Sequence, residues 1–187
     1  RDTGNHPHEL WKTTLGEHGF TADLVGSENG ILASGMDLIL YSVSPKTGEL
    51  QWRHSLIDGA WINGIRHQAD VFAGQFQSSP TVVDDTVYIG GPDGFLNAHD
   101  VETGKMRWRF EARGRITSTP SVAEGKVFIG QNGRYTEYYA IDQKTGLPVW
   151  KIDNLGWASV GSSTYRNGKV FVGTTSDRFI CLRASDG

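Results

Sequence analysis

The side chains in this sequence best suited to binding chemistry crowd into one stretch, residues 55–77, which carries Trp61, Arg66 and His67 among apolar neighbours. A flat indole, a planar guanidinium and an imidazole can together stack on and hydrogen-bond a planar anionic ligand. The same residue types recur singly further along, as Arg113, Arg115, Arg134, Trp157 and Arg178. With Arg66, these arginines would make one face of a folded domain locally basic and suited to a carboxylate-rich cofactor or partner. Two plainer readings stand beside this one. Residues 55–77 could be a rim or interface insertion packing its own apolar groups, and the arginines could be ordinary surface charge.

Other chemistry is harder to assemble. The pair His6 and His8 flanks Pro7, which reads as a turn insertion in preference to a metal pair. Cys181 is the single cysteine, so no disulfide can form within the chain and no Cys-x-x-Cys motif exists. A nucleophile elbow, a phosphate loop and a His-Glu-x-x-His sequence are also absent from the sequence. We therefore expect no catalytic residue and no metal ligand here. The 18 basic and 21 acidic residues, net charge −3, are scattered without runs, which argues against nucleic acid and anionic membranes as partners. No apolar stretch approaches the ~20 residues that span a bilayer, so no membrane insertion is expected. The chain opens at Arg1 with no leader pattern, which reads as a processed or excised piece.

The elements that must hold these groups are legible as a repeat. One phrase runs Asp100-Val-Glu-Thr103-Gly104 to Trp108, again Asp142-Gln-Lys-Thr145-Gly146 to Trp150, and more loosely Ser44-Pro-Lys-Thr47-Gly48 to Trp52. Each time the Trp follows the Gly by four residues. A second phrase precedes it: Ser78-Ser79-Pro80 to Gly90, Ser118-Thr119-Pro120 to Gly130, Gly161-Ser162-Ser163 to Gly173, and a degraded copy ending at Gly35. Each unit reads as four short strands, near 78–83, 86–91, 95–100 and 105–110 in the second copy. The dipeptides Asn29-Gly30, Glu124-Gly125 and Asn167-Gly168 are expected to form two-residue hairpin turns, with Asp84-Asp85 in the same slot. Asp and Thr side chains would bond the turn between strands three and four, where Gly48, Gly104 and Gly146 take the left-handed conformation.

Trp11, Trp52, Trp108 and Trp150 are spaced by 41, 56 and 42 residues. Four strands per period of about 42 residues predict an all-β propeller built from four-stranded antiparallel blades. A lone blade has two apolar faces to hide, and radial packing buries both. The recurring Trp is expected to be a wedge on the outermost strand, between neighbouring blades. The Ser and Thr residues that open the inner strands would line a polar, water-filled channel. We place the blades near 20–55, 77–112, 117–153 and 158–187 of a single domain spanning 1–187, the last completed in one arrangement by residues 8–15.

The phrase Asp-x-x-Thr-Gly-x-x-x-Trp resembles the pyrroloquinoline-quinone (PQQ)-like repeat of the quinoprotein alcohol dehydrogenase superfamily, and the resemblance covers essentially the whole chain. Asp100–Trp108 and Asp142–Trp150 match fully, Ser44 replaces the Asp of a third copy, and the copy from Asp2 to Trp11 carries a three-residue insertion. The resemblance implies a ring usually of eight blades. The four blades here would then be half a ring, completed by a protein partner, a second copy or further sequence. The alternative is a small closed ring in which the Trp11 strand joins the last blade. An extracytoplasmic location, periplasmic or secreted, is implied too. Dehydrogenases of the superfamily hold PQQ with calcium, using Glu and Asn ligands, an Asp base and often a disulfide between adjacent cysteines. This chain has no adjacent cysteines, and none of those positions falls on a motif in it. The expected function is a non-catalytic platform for protein or ligand binding, without a cofactor; the alternative is a fragment of a PQQ-dependent alcohol dehydrogenase.

Overall fold

Tight turns between runs of β-branched and aromatic residues set the strand boundaries. The computed structural model describes residues 8–16, 19–20, 22–56, 78–132, 136–153, 155, 160–174 and 176–187. Within these the first blade comprises β1 (Val25–Gly26), β2 (Ile31–Ser34), β3 (Ile39–Val43) and β4 (Leu50–Ser55). The second holds β5 (Thr81–Val83), β6 (Thr86–Gly90), β7 (Phe95–Asp100) and β8 (Met106–Glu111). The third holds β9 (Ser121–Ala123), β10 (Lys126–Gly130), β11 (Glu137–Asp142) and β12 (Pro148–Asp153). The last is the three-stranded sheet β13 (Val160–Arg166), β14 (Lys169–Thr174) and β15 (Arg178–Arg183). All the sheets are antiparallel meanders in chain order, as the repeat predicted.

The turn chemistry behaves as expected at most positions. Glu124 and Gly125 have φ of 50° and 69°, Asn167 and Gly168 have 49° and 74°, and Asp84 has 53°. The Asn29-Gly30 expectation fails. Gly26 pairs with Ile31, so the loop has four residues, and Ser27 Oγ accepts the Gly30 N–H at 3.0 Å. Gly30 is small for another reason: a Cβ there would sit 2.6 Å from Ser42 Oγ. In the turn between the third and fourth strands, Asp142 Oδ1 accepts from the Lys144 and Thr145 N–H groups and the Thr145 hydroxyl. Asp100 does the same with Glu102 and Thr103.

Every outer strand then carries one extra residue. Ser42 faces Trp52 but Val43 faces Leu50, and the shift recurs at Ala98/His99 and Ala140/Ile141. Such a bulge re-aims the following side chain, and here it delivers the Trp to the neighbouring blade. Trp52 Nε1 donates to Val101 O at 3.1 Å, Trp108 Nε1 to Gln143 O at 3.0 Å, and Trp150 Nε1 to Ala184 O at 3.1 Å. The tryptophans are the inter-blade wedges that the repeat implied. Trp11 donates to Pro45 O at 3.0 Å and packs over Gly48, the same docking onto the first blade, although residues 8–16 form no strand.

Three apolar clusters fill the seams. Leu32, Leu38, Leu40 and Leu56 meet Val87 and Ile89 between the first and second blades. Tyr88 and Leu96 meet Val127, Ile129 and Ile141 between the second and third. Phe128 and Tyr138 meet Val170, Val172 and Leu182 between the third and last. Inner strands touch in succession, β1 with β5, β5 with β9, β9 with β13. Ser78, Ser79 and Ser118, expected to line a wet channel, are instead buried and stitch one blade to the next, whereas Ser162 at the equivalent position of the last blade is exposed. Ser34 Oγ donates to Ser78 O, Ser78 Oγ to Ser118 O, and Thr119 N to Ser162 Oγ. Ser78 is 0% exposed, because each backbone carbonyl buried where blades converge needs a donor from next door.

Candidate functional site

Antiparallel blades put two kinds of loop on one face of the arc: those between second and third strands, and those from an outer strand to the next inner strand. Residues 55–77 join the first blade to the second, and β8 is followed by the loop that carries Arg113 and Arg115. Arg178 opens β15 on the same face. Trp61, Arg66, His67, Arg134 and Trp157 lie outside the described residues. Arg113, Arg115 and Arg178 are all exposed, so three of the expected cations reach solvent on this face.

Beneath Arg113 lies a carboxylate that motif searching did not find. Glu137 heads β11 and is 1% exposed. The Tyr139 hydroxyl donates to its Oε2, Lys151 Nζ lies 3.3 Å from Oε1, and an Arg113 guanidinium nitrogen lies 3.6 Å away. Lys151 also pairs with Asp153 at 2.8 Å. A buried carboxylate is tolerated only with such donors. Burial raises Tyr139 well above the usual phenol value, and the adjoining Glu137 adds to the rise. The phenol therefore stays a donor across the neutral range, and the carboxylate stays occupied.

Two related arrangements flank this one. Asp93, in the β6–β7 turn, receives Arg109 at 2.8 Å, and that guanidinium lies 3.5 Å from the Phe95 ring centroid. Burial pushes the Asp93 carboxyl above the ordinary range despite Arg109, which pulls the other way. On the first blade the Tyr41 hydroxyl donates to Asp37 at 2.5 Å, and burial together with that contact lifts Tyr41 to about 12. Each described carboxylate in these three clusters is thus bound to a neighbouring donor of its own blade or of the adjoining loop. The sequence signal for Glu137 was present but faint: a charged residue leading the apolar run Tyr138-Tyr139-Ala140-Ile141.

Among the described residues no three His, Cys, Asp or Glu side chains are grouped to hold a metal ion. Among the described residues, Asp93 and Glu137 are engaged by Arg109, Lys151 and Tyr139 and so do not offer the free carboxylate oxygens that calcium-bound PQQ would need. Among the described residues no helix is long and apolar enough to cross a membrane. The arrangement offers exposed guanidinium groups above a hydrogen-bonded floor, which is chemistry for recognising acidic surfaces.

Comparison with known proteins fits this geometry. Residues 35–187 match the family model described as outer membrane protein assembly factor BamB. The chain is 27% identical over 145 residues to the outer membrane protein assembly factor BamB of Shewanella oneidensis, covering 75% of this chain and 35% of that protein. It is 30% identical over 120 residues to the 1-butanol dehydrogenase (cytochrome c) of Thauera butanivorans, covering 55% of this chain and 17% of the enzyme. Among solved structures, BamB from Moraxella catarrhalis superposes with a TM-score of 0.71 at 18% identity, over 96% of this chain and 51% of that one. The chain thus spans about a third or less of the length of these two curated relatives.

Proposed function

Because this chain belongs to the outer membrane protein assembly factor BamB family of PQQ-like propellers, we propose that it is a non-catalytic binding platform, extracytoplasmic, whose basic face receives an acidic segment of a protein partner. One observation carries the reading. Asp93 and Glu137 of that face are tied to neighbouring donors, whereas Arg113, with 74% of its side chain exposed, still projects to solvent. Arg115 and Arg178 add exposed charge. Residues 55–77, with Trp61, Arg66 and His67, join the β4 end of the first blade to the second, and Arg134 and Trp157 belong to equivalent loops. All would take part in the same contact.

The four blades are proposed to be half of a larger ring. The Moraxella catarrhalis protein is matched over half its length. By repeat register, the free side of the last blade is a next-blade face, and it presents Phe179, 78% exposed, stacked on Phe171 at 6.1 Å. Apolar surface at a seam position calls for a further blade, from a second copy or from adjoining sequence. Sedimentation of the purified chain reads this directly: a mass of twice the monomer supports completion by a second copy.

The platform reading is tested by fluorescence anisotropy with a labelled polyglutamate peptide. Binding should weaken steeply with salt and fall at least threefold in Arg113→Ala/Arg178→Ala. Equal binding of polylysine, or no change in the variant, refutes it. The likeness to the 1-butanol dehydrogenase favours a second reading, a piece of a PQQ-dependent alcohol dehydrogenase. Dye-linked alcohol oxidation after addition of PQQ and calcium tests that, and turnover would displace the platform reading.

A further inference from the structure

One wedge tryptophan has no sheet of its own, and one sheet has no outer strand. Trp11 donates to Pro45 O and covers Gly48, as Trp52 does with Val101 O and Gly104, and Trp108 with Gln143 O and Gly146. The residue after each indole is a cation: Lys12, Arg53, Arg109 and Lys151. Trp11 therefore occupies the place of an outer-strand wedge from a blade lying before the first, yet residues 8–16 form no strand. The last sheet is the converse. Among the described residues β13, β14 and β15 pair in order, and the outer edge of β15 carries no fourth strand.

The face of that sheet turned away from the third blade is built as a seam. By ladder register Phe171 stands where Leu32, Tyr88 and Phe128 stand, Phe179 where Leu40, Leu96 and Tyr138 stand, and Cys181 where Ser42, Ala98 and Ala140 stand. The residues of the first three blades at these positions are at most 1% exposed. In the last blade Phe179 is 78% exposed, Cys181 is exposed and Phe171 is half-buried. Elsewhere the outer-strand indole covers these positions: Trp108 lies 5.7 Å from Tyr88, and Trp150 lies 5.9 Å from Phe128 and 6.2 Å from Tyr138, between ring centroids.

We propose that residues 8–15 of a second copy add to β15 as its fourth strand, while their indole stays on the first blade of their own chain; the inference rests on the half-ring reading above. The repeat sets the register. Trp52, Trp108 and Trp150 stand opposite Ser42, Ala98 and Ala140, so Trp11 stands opposite Cys181, Lys12 opposite Ile180 and Thr13 opposite Phe179. Leu56 N–H donates to Leu38 O and Ala112 N–H to Gly94 O, each at 2.8 Å. Leu15 N–H correspondingly meets the carbonyl of Asp177, which shares the positive φ of Leu38 and Gly94. Backbone pairing closes the open edge, and the indole covers Phe171 and Phe179. The occupant is a second copy because each chain holds one strand without a sheet and one sheet without that strand, and a reciprocal exchange satisfies both. Within one chain the segment is held at the first blade while the last sheet keeps its edge open.

The test is cysteine pairing in a Cys181→Ser background. Chains carrying Thr13→Cys are mixed with chains carrying Phe179→Cys and oxidised; directly opposed residues have Cβ atoms about 5 Å apart, so a disulfide forms with little movement. A covalent pair of chains joined from 13 to 179 is expected, and it should be lost when Lys12→Cys replaces Thr13→Cys, because that side chain faces the other side of the sheet. No link between mixed chains, or a link formed only inside single chains of the doubly substituted protein, overturns the exchange. Sedimentation distinguishes the two failures: a dimer without the link keeps the half-ring, and a monomer loses both. The unsubstituted chain gives a second reading through Cys181, its single thiol. Labelling by a thiol reagent should be lost as chain concentration is raised and return in Trp11→Ala. Protection that survives Trp11→Ala, or none at any concentration, overturns the proposal.

Discussion

Placing a methyl group at Gly146 probes the wedge that joins the blades. Gly146 has φ of 71°, and a Cβ there would lie 2.7 Å from Cδ2 of Trp108, an indole already fixed by its bond to Gln143 O. Gly125 has nearly the same φ, 69°, with nothing within 4 Å of an added Cβ. Gly125→Ala therefore reports the left-handed backbone alone, about 1–2 kcal/mol. Gly146→Ala adds the displacement of a packed indole, about 1–3 kcal/mol more. Urea denaturation followed by far-UV circular dichroism measures both. In a Trp108→Ala background, itself costing about 3–5 kcal/mol, the excess of Gly146→Ala over Gly125→Ala should disappear, because the atoms it strikes are gone. Equal costs for the two alanines, or an excess that survives without the indole, would refute the claim that these tryptophans hold adjacent blades in register.

Three further expectations concern charges. Arg107 first, then Thr103, holds the Asp100 carboxyl well below the usual range, and Thr145 does the same for Asp142; carboxyls depressed in the fold stabilise it above about pH 4 and cease to as pH falls. Asp100→Asn/Asp142→Asn should therefore flatten the dependence of the urea midpoint on pH between 5 and 2. Tyr41, Tyr88, Tyr138 and Tyr139 are raised chiefly by burial, and Tyr165 by its bond to Glu124. Ultraviolet titration of the folded chain should accordingly show most tyrosines still protonated at pH 10.5, and the urea-unfolded chain most of them ionised. Lys151→Met removes one of the cations facing buried Glu137 and should lower the urea midpoint, a loss that Lys151→Arg largely avoids in the same urea assay.

Where the physics was local, the residues announced it. The Asp-x-x-Thr-Gly turn is decided by side chains bonding backbone two and three positions away, so its presence and phase follow from neighbours in sequence. The Asn29-Gly30 turn was misread because the same dipeptide also serves where a backbone must pass close to Ser42 and Gln51, a contact with residues 12 and more positions on. Ser78 and Ser118 looked solvent-facing for a similar reason: polarity alone does not tell a wet channel from a buried stitch to the next blade.

From the sequence by itself came the repeat, the strand count per unit, the wedge tryptophans and the family, because each depends on short-range spacing that every copy states again. Tertiary structure alone decided which face of each blade meets which neighbour. Glu137 acquired Arg113 and Lys151 from two other segments, and His54 met His99 across 45 residues of chain. Those pairings depend on sheet-to-sheet packing and on a bulge that turns one side chain from solvent toward the seam. Neither the packing nor the bulge can be read from one strand alone, since both are fixed by the energy of burying two sheets against each other.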